Sequence, residues 1–131
     1  MANKETLGAL LLRIVTGIIF IGHGMSKFQG GIENIVGWFD SIGLPGFLAY
    51  IVAIIELVGG IALVLGLGTR IVGALFILLL GGAIIKVQLS QGFIGGYAYD
   101  LALLAISAYF VLNGSKQYSL DQYLFNGKSK Q

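Results

Sequence analysis

The chain is 131 residues long, 56% hydrophobic and only 11% charged, where about a quarter of the residues in a soluble domain are charged. That length leaves room for one domain, residues 1–131. The formal net charge of +2 is too mild for a nucleic-acid partner, the absence of cysteine excludes disulfides, thiolate nucleophiles and iron–sulfur ligation, and a single histidine argues against a zinc site.

A bilayer core of about 30 Å needs roughly 20 apolar residues in helix. Four segments meet that need, at about 7–23, 47–67, 69–89 and 97–112. The expected fold is therefore an all-α polytopic membrane four-helix bundle in a lipid bilayer. The first span has a rival reading as a secretory signal peptide, but Arg13 lies inside the apolar stretch and no A-x-A-like cleavage site follows.

The connection after the first span is long and patterned. Ile32, Ile35, Val36, Phe39 and Ile42 recur at helical spacing, with Glu33, Asn34, Asp40 and Ser41 on the other face. This predicts a short amphipathic helix in the outer interface, with Trp38 at an aromatic-belt position. Gly43 caps it and Leu44-Pro45 turns the chain inward. The tight turn Gly66-Leu67-Gly68-Thr69-Arg70 joins the second and third spans as an antiparallel hairpin, and the polar, glycine-rich stretch 90–96 joins the third and fourth. After the fourth span, Ser119 and Gln122 form a capping box for a short helix through Leu124. Most glycines lie within the spans, where they allow close helix approach. Arg13-Ile14-Val15 is echoed by Arg70-Ile71-Val72, which reads either as a duplicated hairpin or as chance similarity between apolar helices.

Basic residues set the orientation. Lys4, Arg13, Arg70, Lys116, Lys128 and Lys130 fall on the side of the termini, and Lys27 and Lys86 on the other. The expected topology is a multi-pass cell-membrane protein with both termini cytoplasmic. Arg13 is expected to snorkel to the inner headgroups and Arg70 to act as a positive-inside anchor.

Ionisable groups inside a bilayer are costly and usually face the bundle interior. Glu56 lies about nine or ten residues into the second span, roughly 15 Å deep and near the midplane. A carboxyl there either holds a proton or faces a cation. It reads as a proton carrier or ligand contact, or as a structural partner of a neighbouring helix. His23 and Lys27, four residues apart, share a face at the outer end of the first span. Lys86 lies near the outer end of the third span and Asp100 near that of the fourth, with Gln88, Tyr97 and Tyr99 nearby. Glu56 and His23 are the candidate catalytic residues; His23, Lys27, Lys86 and Asp100 are the candidates for binding a polar head group or quinone ring. The alternative is that Lys27 and Lys86 snorkel outward with Asp100 as counter-ion, and that His23 bonds at its helix end.

Several of these residues stand in a familiar order. They include Leu12-Arg13 with Gly17, the His23-Gly24-x-x-Lys27 end of the first span, Glu56-Leu57-Val58-Gly59-Gly60, the 66–70 turn, Gly114, and Tyr118-Ser119-Leu120-Asp121. In this order, across four spans, the chain resembles the DoxX family of membrane proteins. The resemblance implies a four-helix bundle, with Arg13, His23, Lys27, Glu56 and Arg70 at family-motif positions. It also implies a link to quinone-dependent oxidoreductase subunits, including a thiosulfate:quinone oxidoreductase, or to oxidative and electrophile stress. Relatives often carry an acid after the glycine-rich outer loop, a place Asp100 takes here. With no cysteine, direct sulfur chemistry within this chain is not expected. Three functions follow as expectations: a quinone-linked subunit with a partner oxidoreductase subunit, a non-catalytic anchor for partner enzymes, or a small transporter or proton pathway formed by a homo-oligomer.

Overall fold

The computed structural model describes residues 4–115 and 119–126. The first helix, α1 (Lys4–Gln29), is longer than the apolar run that announced it. Its 26 residues span about 39 Å at 1.5 Å each. The polar residues from His23 onward end the hydrophobic stretch but do not break the helix, which stops where Gly31 takes a positive φ of 94°.

The predicted connecting helix is present as α2 (Ile32–Ser41). Phe39 is buried, Ile32, Ile35, Val36 and Ile42 are half-buried, and Glu33, Asn34, Asp40 and Ser41 are exposed. Its end is a Schellman turn on Gly43 (φ 86°), with Leu44 N–H on the Phe39 carbonyl at 2.9 Å and Gly43 N–H on the Asp40 carbonyl at 3.2 Å. Helix α3 (Leu48–Leu65) follows the turn at Pro45 and ends in the same motif, with Leu67 N–H reaching the Ala62 carbonyl at 2.8 Å. Helix α4 (Thr69–Lys86) then runs antiparallel to it. A single 3₁₀ turn (Gln88–Gln91) and an irregular stretch at Phe93–Tyr97 lead into α5 (Ala98–Asn113). Four of these segments are long and apolar enough to cross a membrane: Lys4–Gln29, Leu48–Leu65, Thr69–Lys86 and Phe93–Asn113.

The helices assemble as two hairpins. Helices α1 and α3 approach so closely that a Cβ at Gly17 would lie 2.7 Å from the Gly60 carbonyl oxygen, and one at Gly24 would lie 2.8 Å from the Leu57 nitrogen. Small residues create this fit, as expected where no hydrophobic effect drives helix association. Helices α4 and α5 meet similarly at Gly73, against the Ser107 carbonyl. The hairpins join through Phe76 of α4, which stacks on Phe20 of α1 with ring centroids 3.8 Å apart and lies against Gly59 of α3. Leu63, Leu80, Leu103 and Phe110 complete this core.

Candidate functional site

Beyond the Phe20–Phe76 stack, toward the C-terminal end of α1, the helices surround a cavity of about 720 Å³. It is lined by His23 and Lys27 of α1, Glu56 of α3, Lys86 of α4 and Asp100 of α5, together with Gln88 and Tyr99. All the candidate site residues are thus brought to one cavity. Tyr97 is not; its ring stands edge-on to Phe93, with centroids 5.2 Å apart.

The closest polar contact joins Lys27 Nζ and Glu56 Oε1 at 2.7 Å. The two side chains retain 20% and 11% of their exposure, so both are largely withdrawn from solvent. Lys27 therefore turns inward, along the α1–α3 seam that Gly24 and Ala53 hold tight, and does not snorkel outward. Glu56 offers the lysine a charge-assisted bond deeper than any headgroup could provide. Glu56 also borders the cavity.

His23 Nδ1 lies 2.8 Å from the Ile19 carbonyl oxygen. A carbonyl only accepts, so this ring nitrogen carries a proton, which leaves Nε2 as the acceptor whenever the ring is neutral. The ring stacks loosely on Tyr99, with centroids 6.2 Å apart and planes 22° apart, and Asp100 lies within electrostatic range of it. Lys86 is exposed and its ammonium approaches Gly43 at the end of α2.

Two aromatic wall residues, Trp38 and Phe39, come from α2. The apolar face of α2 was legible from its spacing, but its place over the bundle was not. Two contacts hold it there: Tyr50 Oη donates to Glu33 at 3.2 Å, and Gly46 lies where a Cβ would meet Val36 at 2.7 Å.

The opposite end of the bundle, around the turn between α3 and α4, is also built differently from expectation. Arg13 does not reach for headgroups; it is 1% exposed. Its guanidinium occupies the space a side chain at Gly66 would need, within electrostatic range of Asp121. The physical reason is a counter-charge supplied by the C-terminal segment. Asp121 folds back and accepts Gly68 N–H at 2.8 Å, Thr69 N–H at 3.2 Å and Ser115 Oγ–H at 3.0 Å. It caps α4 from outside that helix, where Gly68 has no side chain to do so. Thr69 Oγ1 and Ser115 Oγ share a further hydrogen bond. The predicted Ser119 cap is present, its hydroxyl accepting Gln122 N–H at 3.1 Å. Arg70 is exposed, and its Nη1 donates to the Val111 and Leu112 carbonyls at 2.8 and 3.1 Å. Each echoed arginine thus sits against the glycine that closes its partner helix, Arg13 on Gly66 and Arg70 on Gly114.

Comparison with known proteins agrees with this architecture. The DoxX family model matches residues 8–89, from α1 through α4. The chain is 52% identical over 128 residues to the Bacillus subtilis (strain 168) protein named "Putative oxidoreductase CatD", covering 98% of this chain and 95% of that one. It is 29% identical over 130 residues to "Uncharacterized membrane protein Rv3486" of Mycobacterium tuberculosis, covering 88% and 80% of the two chains. A 72-residue stretch is 35% identical to "Inner membrane protein YqjF" of Escherichia coli, covering 53% of each. No solved structure matches the chain. With most of its length matched by the family model and a relative aligned almost end to end, the chain belongs to the DoxX family of membrane proteins.

Proposed function

We propose that this protein is a membrane subunit of a redox system in the cell membrane, active in oxidative or electrophile stress, whose cavity binds a quinone or similar oxygen-bearing ring. The observation that carries the reading is the cavity itself: apolar and aromatic walls around a few convergent ionisable groups, the usual make-up of a site for an amphipathic ring. The name of the Bacillus subtilis relative supports a redox role. A quinone bound there would supply a two-electron, two-proton couple. Lys27 holds Glu56 at mid-depth, where its carboxylate exchanges the proton. His23, Lys86 and Asp100 orient the ring oxygens, His23 through Nε2. The electrons come from a partner oxidoreductase subunit, since the chain carries no cysteine for redox exchange of its own.

Trp38 is the single tryptophan of the chain and lines the cavity, which gives a direct readout. Titration with a short-chain ubiquinone should quench its fluorescence saturably, and Glu56→Gln should weaken the binding by about tenfold, the value of one charge-assisted bond. Equal, unsaturable partitioning in both proteins would remove the site.

The same proposal places both termini in the cytoplasm and α2 in the outer interface, on the strength of the six-to-two division of basic residues. Reporter fusions active only in the cytoplasm should be active at either terminus and silent when inserted at Gly37, in α2. Activity at Gly37 alone would invert the topology.

The exposed side chains of Leu120, Tyr123 and Leu124 at the inner end favour a docking place for the partner subunit there. In this second reading the bundle anchors its partner at the membrane and the cavity is secondary.

A further inference from the structure

The cavity is roofed on its outer side by α2 and by the turn after α4, through Trp38, Phe39 and Gln88. On the α3–α4 side its rim carries exposed apolar residues beside Lys86. Leu78 and Ile85 of α4 are 73% and 77% exposed, and Ile51 of α3 is 43% exposed. Between them on α4 is Gly82, where an added Cβ would meet nothing within 4 Å. Glycine seams close the other helix pairs, at Gly17, Gly24 and Gly60 for α1 with α3 and at Gly73 for α4 with α5. Helices α3 and α4 have their close approach at Gly59 and Phe76, below the cavity. Beyond that point the cavity occupies the gap between the two helices, lined by Ile51 and Val52 of α3 and by Leu78, Gly82 and Ile85 of α4.

We infer that this gap is a lateral portal, and that the ligand is a membrane-soluble amphiphile whose ring lies among Lys27, Glu56 and His23 while its hydrocarbon tail leaves between α3 and α4 over Gly82. The inference rests on the reading of the cavity as a ring-binding site. Three features support a tail as the occupant. The volume of about 720 Å³ exceeds what a single ring fills and suits a larger ligand. Leu78, Gly82 and Ile85 carry an apolar wall from the cavity to the exposed surface of α4, with Lys86 at its edge. The Lys27–Glu56 pair is largely buried while Leu78 and Ile85 are exposed, which sets the polar end of an amphiphile inward and its apolar end at the mouth.

The test compares a tailless ubiquinone with one carrying a ten-carbon alkyl tail, both read by Trp38 quenching in phosphatidylcholine vesicles. In the wild type both saturate, and the tailed compound binds more tightly. Gly82→Phe adds a ring at the gap from a position where the Cβ meets nothing within 4 Å. It should weaken the tailed ligand by about tenfold, the loss expected when roughly two methylene groups are denied burial, and leave the tailless one within about twofold. Unchanged tailless binding also shows that the variant is folded. Gly22→Phe, at another open glycine that does not line the cavity, should change neither. Equal losses for both ligands, or no loss for either, would overturn the portal while leaving the ring site standing. Absence of saturable binding in the wild type would overturn the ring site and the portal with it.

Discussion

Lys27→Met should lower the unfolding free energy of the bundle by about 3 kcal/mol, and adding Glu56→Gln should return most of that loss. Breaking a buried ion pair by removing one partner costs about 3–5 kcal/mol because the other charge is stranded. The lower end applies here because the side chains keep 20% and 11% of their exposure. The two single variants should not be equal. Glu56 sits at the middle of α3 and has no route to the surface, whereas Lys27 sits near the C-terminal end of α1 and can redirect its flexible stem to the headgroups. Glu56→Gln alone should therefore cost only about 1 kcal/mol, the scale of one net hydrogen bond. Unfolding in mixed micelles, read as a double-mutant cycle, checks this. Equal losses from the two single variants would show that Lys27 is as trapped as Glu56. Additive losses in the double variant would show that the pair does not act as a pair. The double variant also separates stability from function: it should fold nearly as well as the wild type yet bind the quinone probe poorly.

The spans and the gathering of Glu56, His23, Lys27, Lys86 and Asp100 were legible because both follow from one-dimensional rules. Apolar length marks a span, and helix rise gives the depth of each polar residue along it. Rotation about the helix axis is not in those rules. That is why Lys27 could be placed at the level of the outer cluster but not aimed at Glu56. The glycine seam held the missing signal: Gly24 lies between His23 and Lys27, and burying that glycine against Ala53 turns the lysine along α3. The end of α1 was misplaced for a different reason. Hydropathy falls at His23, while the helix continues until glycines 30 and 31 break it. Arg13 was the largest departure. An arginine near a cytoplasmic helix end ordinarily reaches out to headgroups, and nothing local in the sequence distinguishes one that turns in. Its counter-charge, Asp121, comes from the far end of the chain, in a segment with no apolar periodicity to tie it to the bundle.

That counter-charge makes a second large effect predictable. Asp121→Ala should destabilise the bundle by about 3–4 kcal/mol. Roughly 1 kcal/mol comes from the lost cap on Gly68 and Thr69, and the rest from removing a negative charge within electrostatic range of the buried Arg13 guanidinium. Asp121→Asn keeps one of the two accepting oxygens and loses the charge, so it should fall between wild type and Asp121→Ala. A chain ending at Gly114 should behave like Asp121→Ala or worse, because it also removes Ser115, which bonds Thr69, Asp121 and the Gly66 carbonyl. Thermal unfolding in detergent orders the three. If Asp121→Asn matches wild type, the carboxylate charge does not matter to Arg13 and the segment is held by its caps alone. The consequence for function is practical. Deleting the C-terminal segment would confound a docking test, since the turn between α3 and α4 would lose its cap along with any partner surface. Leu120→Ser and Tyr123→Ser leave Asp121 in place, and both side chains are exposed. If partner docking occurs at this end, these two substitutions should reduce co-purification of the partner while the unfolding temperature stays within a few degrees of wild type. Retained partner with both substitutions present would sink docking at this surface, and would leave the outer cavity as the place where function resides.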